Sequence, residues 1–178
     1  MKLFKLFISL FLIAILTFVV SLFFPRSYRI ERSIKVNVPV DKAYSFMQDF
    51  RNWEQWSLWN KSMDSTLYYF YGRTSAGQGG RQYFYGNALG SGRFLFDTCI
   101  TNQQLKYSLY MHGGEVNTQG EFQFSGNTTE ATITWINAGD VGYNPLYRFM
   151  IPSKISSTEK VFDDGLGRIK NILESKNP

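Results

Sequence analysis

An uncharged, apolar stretch near the amino terminus constrains this chain more than any other feature of its sequence. It runs from Leu6 to Phe24, 19 residues without a charge, and only two serines and one threonine interrupt it. A helix needs roughly 20 such residues to cross the hydrocarbon core of a bilayer, which is about 30 Å thick. The stretch therefore predicts one transmembrane anchor in residues 1–25, followed by one domain in residues 26–178.

Two other interpretations of this stretch stay open. A secretory signal peptide has an apolar run of about 7–15 residues and a small-residue cleavage site, whereas this run is longer and ends poorly for cleavage at Ser21–Pro25. A buried helix of a soluble core is the second alternative. The positive-inside rule does not orient the anchor, because Lys2 and Lys5 flank one end while Arg26 and Arg29 flank the other. The side of the membrane that holds the domain therefore stays open.

Charge and cysteine content argue against several classes of function. The net charge is +5, and two of the positive charges precede the apolar stretch, so the domain lacks the clustered basic stripe of a nucleic-acid-binding protein. Cys99 is the single cysteine, so it forms no intramolecular disulfide and supplies no metal-ligand spacing. We expect no nucleic-acid partner, no cofactor and no metal, and the sequence leaves the oligomeric state open.

Residues beyond 26 predict an α+β domain. Tyr28–Val38 alternates apolar and polar residues, as a strand with one wet face does. Asp41 is a candidate cap for a short helix that follows, and Gly113 and Gly114 mark one of the later turns. The remaining predicted strands are Thr66–Tyr71, Arg81–Tyr85, Arg93–Thr101, Gln104–Met111, Val116–Phe124 and Thr129–Asn137.

The carboxyl-terminal segment predicts a long helix. Apolar residues recur at spacings of three and four from Val161 to Leu173, and Ser156 with Glu159 fits a capping box at its start. A curved antiparallel sheet wrapped around this last helix would bury the apolar faces of both.

No set of catalytic residues stands out. His112 is the only histidine, and we can assign it neither a nucleophile nor a carboxylate partner, so an exposed turn residue is the better interpretation. The glycines of 77–80 precede a strand and lack the Lys-Ser/Thr ending of a phosphate-binding loop.

The inward-facing positions of the predicted strands offer an apolar lining instead. Ligand cavities are mostly apolar with a few polar groups, which a tyrosine hydroxyl and a tryptophan N–H would supply here. The same side chains would also suit a filled core at ordinary packing density. The candidate cavity residues are Phe94, Phe96, Leu105, Tyr107, Leu109, Phe122, Phe124, Ile133 and Trp135.

A run of three tryptophans also admits more than one interpretation. Trp53, Trp56 and Trp59 would close one end of a cavity, form an interface belt at a membrane, or pack a short helix pair against the sheet.

Several short motifs resemble those of a known superfamily. They are Arg32-Ser33-Ile34 through Pro39, Phe50-Arg51-Asn52-Trp53, Trp56-Ser57-Leu58-Trp59, Gly72, Thr134-Trp135, Gly139-Asp140, Asn144-Pro145 with Arg148, and Phe162-x-x-Gly165-Leu166 ahead of Lys170. On these motifs, residues 28–174 resemble the polyketide cyclase/dehydrase and lipid-transport group of the START-like, helix-grip (SRPBCC) superfamily. Leu58 departs from the proline that is common in that group.

The resemblance implies a helix-grip fold, but it implies no single function. Members of the superfamily include enzymes, lipid carriers and ligand sensors on one scaffold. Asp140 and Arg148 match residues typical of relatives, and an ion-pair or loop-fixing role is expected of them rather than catalysis.

We expect a membrane-anchored domain that binds a hydrophobic small molecule or lipid in its cavity, as a carrier or a sensor. The first alternative is an enzyme of cyclase, dehydratase or hydrolase type, which would need an acid or base in the same cavity. The second is an interaction module with a filled core, which an exposed apolar patch would favour.

Overall fold

Four helices and seven strands make up the part of the chain that the structure, a computed structural model, describes: residues 2–111 and 115–175. The helices are α1 (Lys2–Ser21), α2 (Val40–Met47), α3 (Phe50–Trp56) and α4 (Pro145–Ser175). The strands are β1 (Ser27–Val36), β2 (Tyr68–Tyr71), β3 (Arg81–Gly86), β4 (Gly90–Ile100), β5 (Gln104–Met111), β6 (Glu115–Gly126) and β7 (Ala131–Asp140).

The strands form one antiparallel, curved sheet in the order β1-β7-β6-β5-β4-β3-β2. Strands β2 to β7 follow one another as a meander, and β1 closes the far edge by pairing with β7 from Ser27 opposite Asp140 to Val36 opposite Ala131. The predicted α+β architecture is confirmed, with a long carboxyl-terminal helix and an apolar amino-terminal helix.

Alternating burial along the strands decides which face holds the core. Leu105, Tyr107 and Leu109 of β5 are buried, whereas Lys106 between them is exposed. On β1, Ile30 and Val36 are buried and every second residue is exposed, as the alternation predicted.

Helix α4 packs against the inner face of the sheet, and salt bridges join it to strand β1 at the edge. Phe162, Leu166 and Ile169 are buried against the sheet at helical spacing. From β1, the Arg32 guanidinium reaches Glu159 at 3.0 Å and Asp163 at 3.3 Å.

The predicted start of this helix is wrong. Helix α4 begins at Pro145, where the Asn144 side chain accepts a hydrogen bond from the Leu146 N–H at 3.0 Å, so Asn144 caps the helix and proline occupies its first position. Ser156 lies inside the helix. The earlier turns escaped the sequence analysis because Pro152 lies within them, and proline ordinarily interrupts a helix interior.

The prediction that Asp41 caps a short helix is also wrong. Pro39 occupies the cap position of α2 without a side-chain cap, and Asp41 lies in the first turn, where a carboxylate still complements the helix dipole. A true cap occurs one helix later, where Asp49 accepts a hydrogen bond from the Arg51 N–H at 3.0 Å. The predicted turn at His112, Gly113 and Gly114 lies outside the described residues.

Helix α1 is long and apolar enough to cross a membrane. Over Leu3–Ser21 the mean hydropathy is 2.7, and within this span only Ser21, at its end, is buried by the rest of the protein. Its length and composition fit a membrane-spanning helix, and a signal sequence has a similar apolar run.

A candidate ligand cavity between the sheet and the long helix

A small cavity lies between the inner face of the sheet, α3 with the loop after it, and α4. Its volume is about 240 Å³, and its walls are mostly aromatic. All four tryptophans of the chain line it: Trp53, Trp56, Trp59 and Trp135. The residues that sequence analysis considered as a tryptophan run thus meet a fourth tryptophan from β7 around one space.

The structure divides the nine predicted cavity residues into two groups. Phe94, Tyr107, Leu109 and Trp135 line the cavity. The other five belong to the close-packed core beside it: Phe96, Leu105, Phe122, Phe124 and Ile133. In that core Phe96, for example, stacks on Phe50 with ring centroids 3.9 Å apart. For all nine, a role in binding a ligand stays a prediction.

Two side chains of the cavity wall are joined by a hydrogen bond that spans the strand between them. The Trp135 indole N–H on β7 donates to the Tyr107 hydroxyl on β5 at 2.9 Å. These strands are not neighbours, since β6 lies between them and places Gly120 opposite Tyr107. A Cβ at Gly120 would collide with the Tyr107 ring. The glycine therefore allows the tyrosine to lean across β6 and reach the tryptophan.

The Tyr107 hydroxyl is a buried donor with its proton retained. Burial raises its pKa well above the ordinary value for tyrosine, and the hydrogen bond from Trp135 offsets only part of that rise. Because the oxygen already accepts from Trp135, its own proton is left to donate, and among the described residues no acceptor pairs with it. The group is suited to orienting a ligand oxygen at neutral pH.

Trp56 carries a second unused donor. Its side chain is 1% exposed and lines the cavity, yet its indole N–H has no hydrogen-bond partner among the described residues. Its ring meets those of Phe122 and Trp135 at nearly right angles. A buried donor without an acceptor costs about 1–3 kcal/mol, so such groups mark places where an acceptor is expected to bind.

Helix α4 comes close to the cavity wall because it carries a glycine there. The Phe162 ring stacks on Trp135 with centroids 3.9 Å apart and planes 6° from parallel. One turn later, a Cβ at Gly165 would lie 2.9 Å from the Trp135 ring. The pair of aromatic rings and the glycine fix the distance between helix and sheet on this side of the cavity.

A buried carboxylate fixes the loop that carries Trp59. Asp64 accepts hydrogen bonds from the backbone N–H groups of Ala88 at 2.8 Å and Leu89 at 3.0 Å, and from Thr66. These bonds, that from the Thr66 hydroxyl above all, lower the pKa of Asp64 to about 2. The loop is thereby joined to the turn between β3 and β4, and Trp59 is held at the cavity rim.

Beyond Tyr107 and Trp135, sequence reasoning missed further polar residues of the lining. Asn137 continues the inward parity of Ile133 and Trp135, and its amide donates to the Thr118 hydroxyl at 2.8 Å, so the alternation could have found it. Lys154 and Thr158 also line the cavity. Lys154 lies on the turns of α4 before Ser156, which the sequence analysis did not assign to a helix, whereas Thr158 lies just inside the helix that was predicted.

An open groove adjoins the cavity and shares two residues with it. The groove, about 520 Å³, continues from Thr118 and Lys154 to Asp140 and Tyr147. At the junction, the Lys154 ammonium donates to the Tyr28 hydroxyl at 2.8 Å and lies 4.5 Å from the centre of the Tyr28 ring.

Asp140 and Arg148 do not pair with each other. Asp140 pairs with Arg26 at 3.0 Å and accepts from the Gly142 N–H at 2.7 Å, whereas Arg148 donates to the Gly142 carbonyl at 2.9 Å. Both side chains hold the turn between β7 and α4, which is the loop-fixing role that the resemblance implied.

The lining offers little acid–base chemistry. Among the described residues, no carboxylate or histidine lines the cavity, and no group of three or more His, Cys, Asp and Glu side chains is placed to hold a metal. Burial raises the pKa of the Cys99 thiol to about 11, so this cysteine is a poor nucleophile at neutral pH.

A second depression lies on the outer face of the sheet. It is about 360 Å³, includes Phe70, Tyr83 and Arg93, and lies open to solvent. We consider the inner cavity the better candidate site, because ligand sites enclose most of their ligand.

Known proteins resemble this chain in structure and not in sequence. The sequence matches no protein-family model and no curated protein. Among solved structures, the Aha1 dimer from Colwellia psychrerythraea is 13% identical, with a TM-score of 0.58 over 85% of this chain and 99% of that chain.

Two further structures have the same architecture. The di-domain ARO/CYC BexL from the BE-7585A biosynthetic pathway is 14% identical, with a TM-score of 0.59 over 85% of this chain and 48% of that chain. Ara h 8.0201 is 12% identical, with a TM-score of 0.56 over 84% of this chain and 99% of that chain. At such identities the likeness concerns the fold alone.

Proposed function

We propose that this chain is a membrane-anchored binding protein that takes a hydrophobic small molecule, or the apolar part of a lipid, into the cavity beside α4. In this proposal residues 1–25 are the anchor, residues 26–178 are the binding domain, and the chain is a member of the START-like superfamily. The sequence motifs and the shared fold with the ARO/CYC BexL support that placement.

One observation carries the proposal: an aromatic cavity whose lining includes Trp56 and Tyr107, each with a hydrogen-bond donor that has no acceptor among the described residues. Side chains that merely filled a core would leave neither the space of about 240 Å³ nor the unpartnered Trp56 N–H. An apolar ligand with one oxygen acceptor would fill the first and satisfy the second, with the Tyr107 hydroxyl as a further donor.

The size of the cavity limits the ligand. Sites that enclose drug-sized ligands span about 300–1,000 Å³, so a cavity of about 240 Å³ holds a smaller molecule or one end of a longer one. The adjoining groove at Lys154 would take the remainder of a longer amphiphile.

Catalysis in the same cavity is the less favoured alternative. General acid–base chemistry needs a group that exchanges a proton near neutral pH. Burial keeps the Tyr107 hydroxyl protonated, and Lys154 at the mouth is the other titratable group of the lining. A cyclase-type enzyme here would act mainly through the shape of its cavity.

Native mass spectrometry of the full chain, released from lipid nanodiscs, tests the proposal. We expect a stoichiometric small-molecule or lipid adduct, whose identity follows from extraction. In a Thr158→Phe variant the added ring enters the cavity, because Thr158 lines it from α4. Overpacking costs about 1–3 kcal/mol, so the affinity for the occupant should fall by roughly 5- to 150-fold, and adduct occupancy should fall with it.

Thr158→Val is the matched control, since it keeps the volume of the side chain and should keep the adduct. A chain free of any adduct after incubation with membrane extract would overturn the binding function. An adduct of equal occupancy in the Phe and Val variants would show that the ligand binds elsewhere.

A further inference from the structure

The first turns of α4 expose an apolar face that the domain does not cover. Tyr143, just before the helix, is 67% exposed, and Leu146, Tyr147 and Met150 are 67%, 57% and 62% exposed. Spacings of three and four place Leu146, Tyr147 and Met150 on one side of the helix, and Tyr143 lies in the turn that precedes it. We refer to these four residues as the α4 apolar face. Large apolar side chains gathered on a surface mark a contact with something other than water.

The opposite side of the same turns contacts the end of α1. Arg148 is 4% exposed, and its guanidinium donates a hydrogen bond at 3.3 Å to the carbonyl of Ser21, the last residue of α1. The neighbouring Phe149 ring meets the Phe24 ring edge-on at 4.8 Å. The α4 apolar face therefore lies beside the point at which the apolar helix ends and the domain begins.

We propose that the α4 apolar face lies in the interface of the same bilayer that α1 crosses. This inference rests on the proposed membrane anchor. Tyrosines are enriched at the headgroup level of membranes, where the ring lies in apolar surroundings and the hydroxyl in polar ones, and the face contains Tyr143 and Tyr147. Basic groups are close by in Arg26, whose guanidinium lies over the Tyr143 ring, and in Lys154.

The sequence of α4 also sets where the contact ends. Ser153 and Ser157 continue the side of the helix that carries Leu146 and Met150, and both are exposed and polar. Ser157 lies seven residues beyond Met150, which is about 10 Å along a helix. Only the first turns of α4 are thus apolar enough to enter the interface, and the rest of the helix leads away from it into the domain.

This position would bring the groove to the membrane surface. Tyr147 belongs both to the α4 apolar face and to the groove, and the groove meets the cavity at Lys154 and Thr118. An amphiphile would then pass from the bilayer along the groove to the cavity without crossing bulk water. The ligand class implied is a bilayer lipid or a molecule dissolved among lipids.

Spin-label accessibility on the full chain tests the inference. The chain is placed in vesicles of phosphatidylethanolamine and phosphatidylglycerol, with Cys99 replaced by serine and one new cysteine labelled at Leu146, Met150, Ser157 or Ile13. Oxygen concentrates in the bilayer and a nickel chelate in water. We expect the labels at Leu146 and Met150 to favour collision with oxygen, and the Ser157 label to favour the nickel chelate.

The label at Ile13, in the middle of α1, separates the two proposals. If it reports the bilayer interior while the labels at Leu146 and Met150 match Ser157, the interface contact is overturned and the anchor stands. If the Ile13 label is itself exposed to the nickel chelate, the anchor fails and the interface contact fails with it. Oxygen-rich surroundings at Ile13, Leu146 and Met150, together with a water-exposed Ser157, support both.

Discussion

The two halves of α4 use the same backbone to contact different surroundings. From Phe162 to Leu173 the helix buries a residue at every third or fourth position against the sheet. From Pro145 to Met150 it buries Arg148 and leaves Leu146 and Met150 exposed. Apolar periodicity thus identifies a helix face but not its partner, which is this protein's own core in one half and, in our proposal, lipid in the other.

The largest expected contrast comes from truncating one apolar residue in each half. Phe162→Ala removes a buried ring that stacks on Trp135 and should lower the free energy of unfolding by about 3–5 kcal/mol. Met150→Ala removes an exposed side chain and should change it by at most about 0.5 kcal/mol. Urea unfolding of the full chain in detergent, followed by far-ultraviolet circular dichroism, measures both. Equal losses would remove the distinction between the halves.

A substitution at Arg148 tests whether the first half of α4 is held in place by its contact with the end of α1. Arg148→Met removes the hydrogen bonds to the carbonyls of Gly142 and Ser21 and should cost about 1–3 kcal/mol, because the buried Ser21 carbonyl and the partly buried Gly142 carbonyl lose their donor. Amide hydrogen exchange should then rise in the turn that contains Gly142.

The control for Arg148 is Arg26→Met, which removes a solvent-exposed ion pair with Asp140 that is worth about 0–1 kcal/mol. Unchanged exchange in the Arg148 variant would mean that the first half of α4 needs no attachment to the end of α1.

Gly165→Ala tests how closely the second half of α4 approaches the sheet. The new Cβ would lie 2.9 Å from a Trp135 ring already stacked on Phe162, so helix or ring must move. Overpacking of about 1–3 kcal/mol exceeds the gain of up to about 1 kcal/mol in helix propensity, and we expect a net loss of roughly 1 kcal/mol. Thermal unfolding checks the sign, and a stabilised variant would contradict the close approach.

Gly167→Ala should have the smallest effect, and of opposite sign. A Cβ at Gly167 meets nothing within 4 Å, so the helix gains propensity without a collision, and stability should rise by about 0.5–1 kcal/mol. The same thermal measurement compares it directly with Gly165→Ala. A loss at Gly167 would mean that this part of α4 has a contact not seen here.

The same contrast explains what the sequence could predict. Strands such as Gln104–Met111 were found with their observed bounds, because alternation directly reflects a sheet with one buried face. The second half of α4 was found for the equivalent helical reason. Its first half was not, because Pro152 argues against a helix and because Leu146 and Met150 are exposed and do not extend the buried apolar face of the second half.

The cavity was only partly predictable for a related reason. Parity placed Phe94, Tyr107, Leu109 and Trp135 on the inner face, and the same parity also selected five residues that pack into the core. Alternation reports the face of a sheet but not its curvature, which decides where space is left. The partner of Tyr107 depends on the gap at Gly120, a long-range effect that local patterns do not contain.

The gathering of every tryptophan around one cavity has an optical consequence. Indole emission shifts with the polarity and hydrogen bonding around the ring, and Trp53, Trp56, Trp59 and Trp135 all line the same space. The tryptophan fluorescence of the whole chain therefore originates at the walls of the candidate site. An occupant that accepts the Trp56 N–H or displaces the Tyr107 hydroxyl from Trp135 would change that emission directly, so the protein can report on its own ligands without a dye.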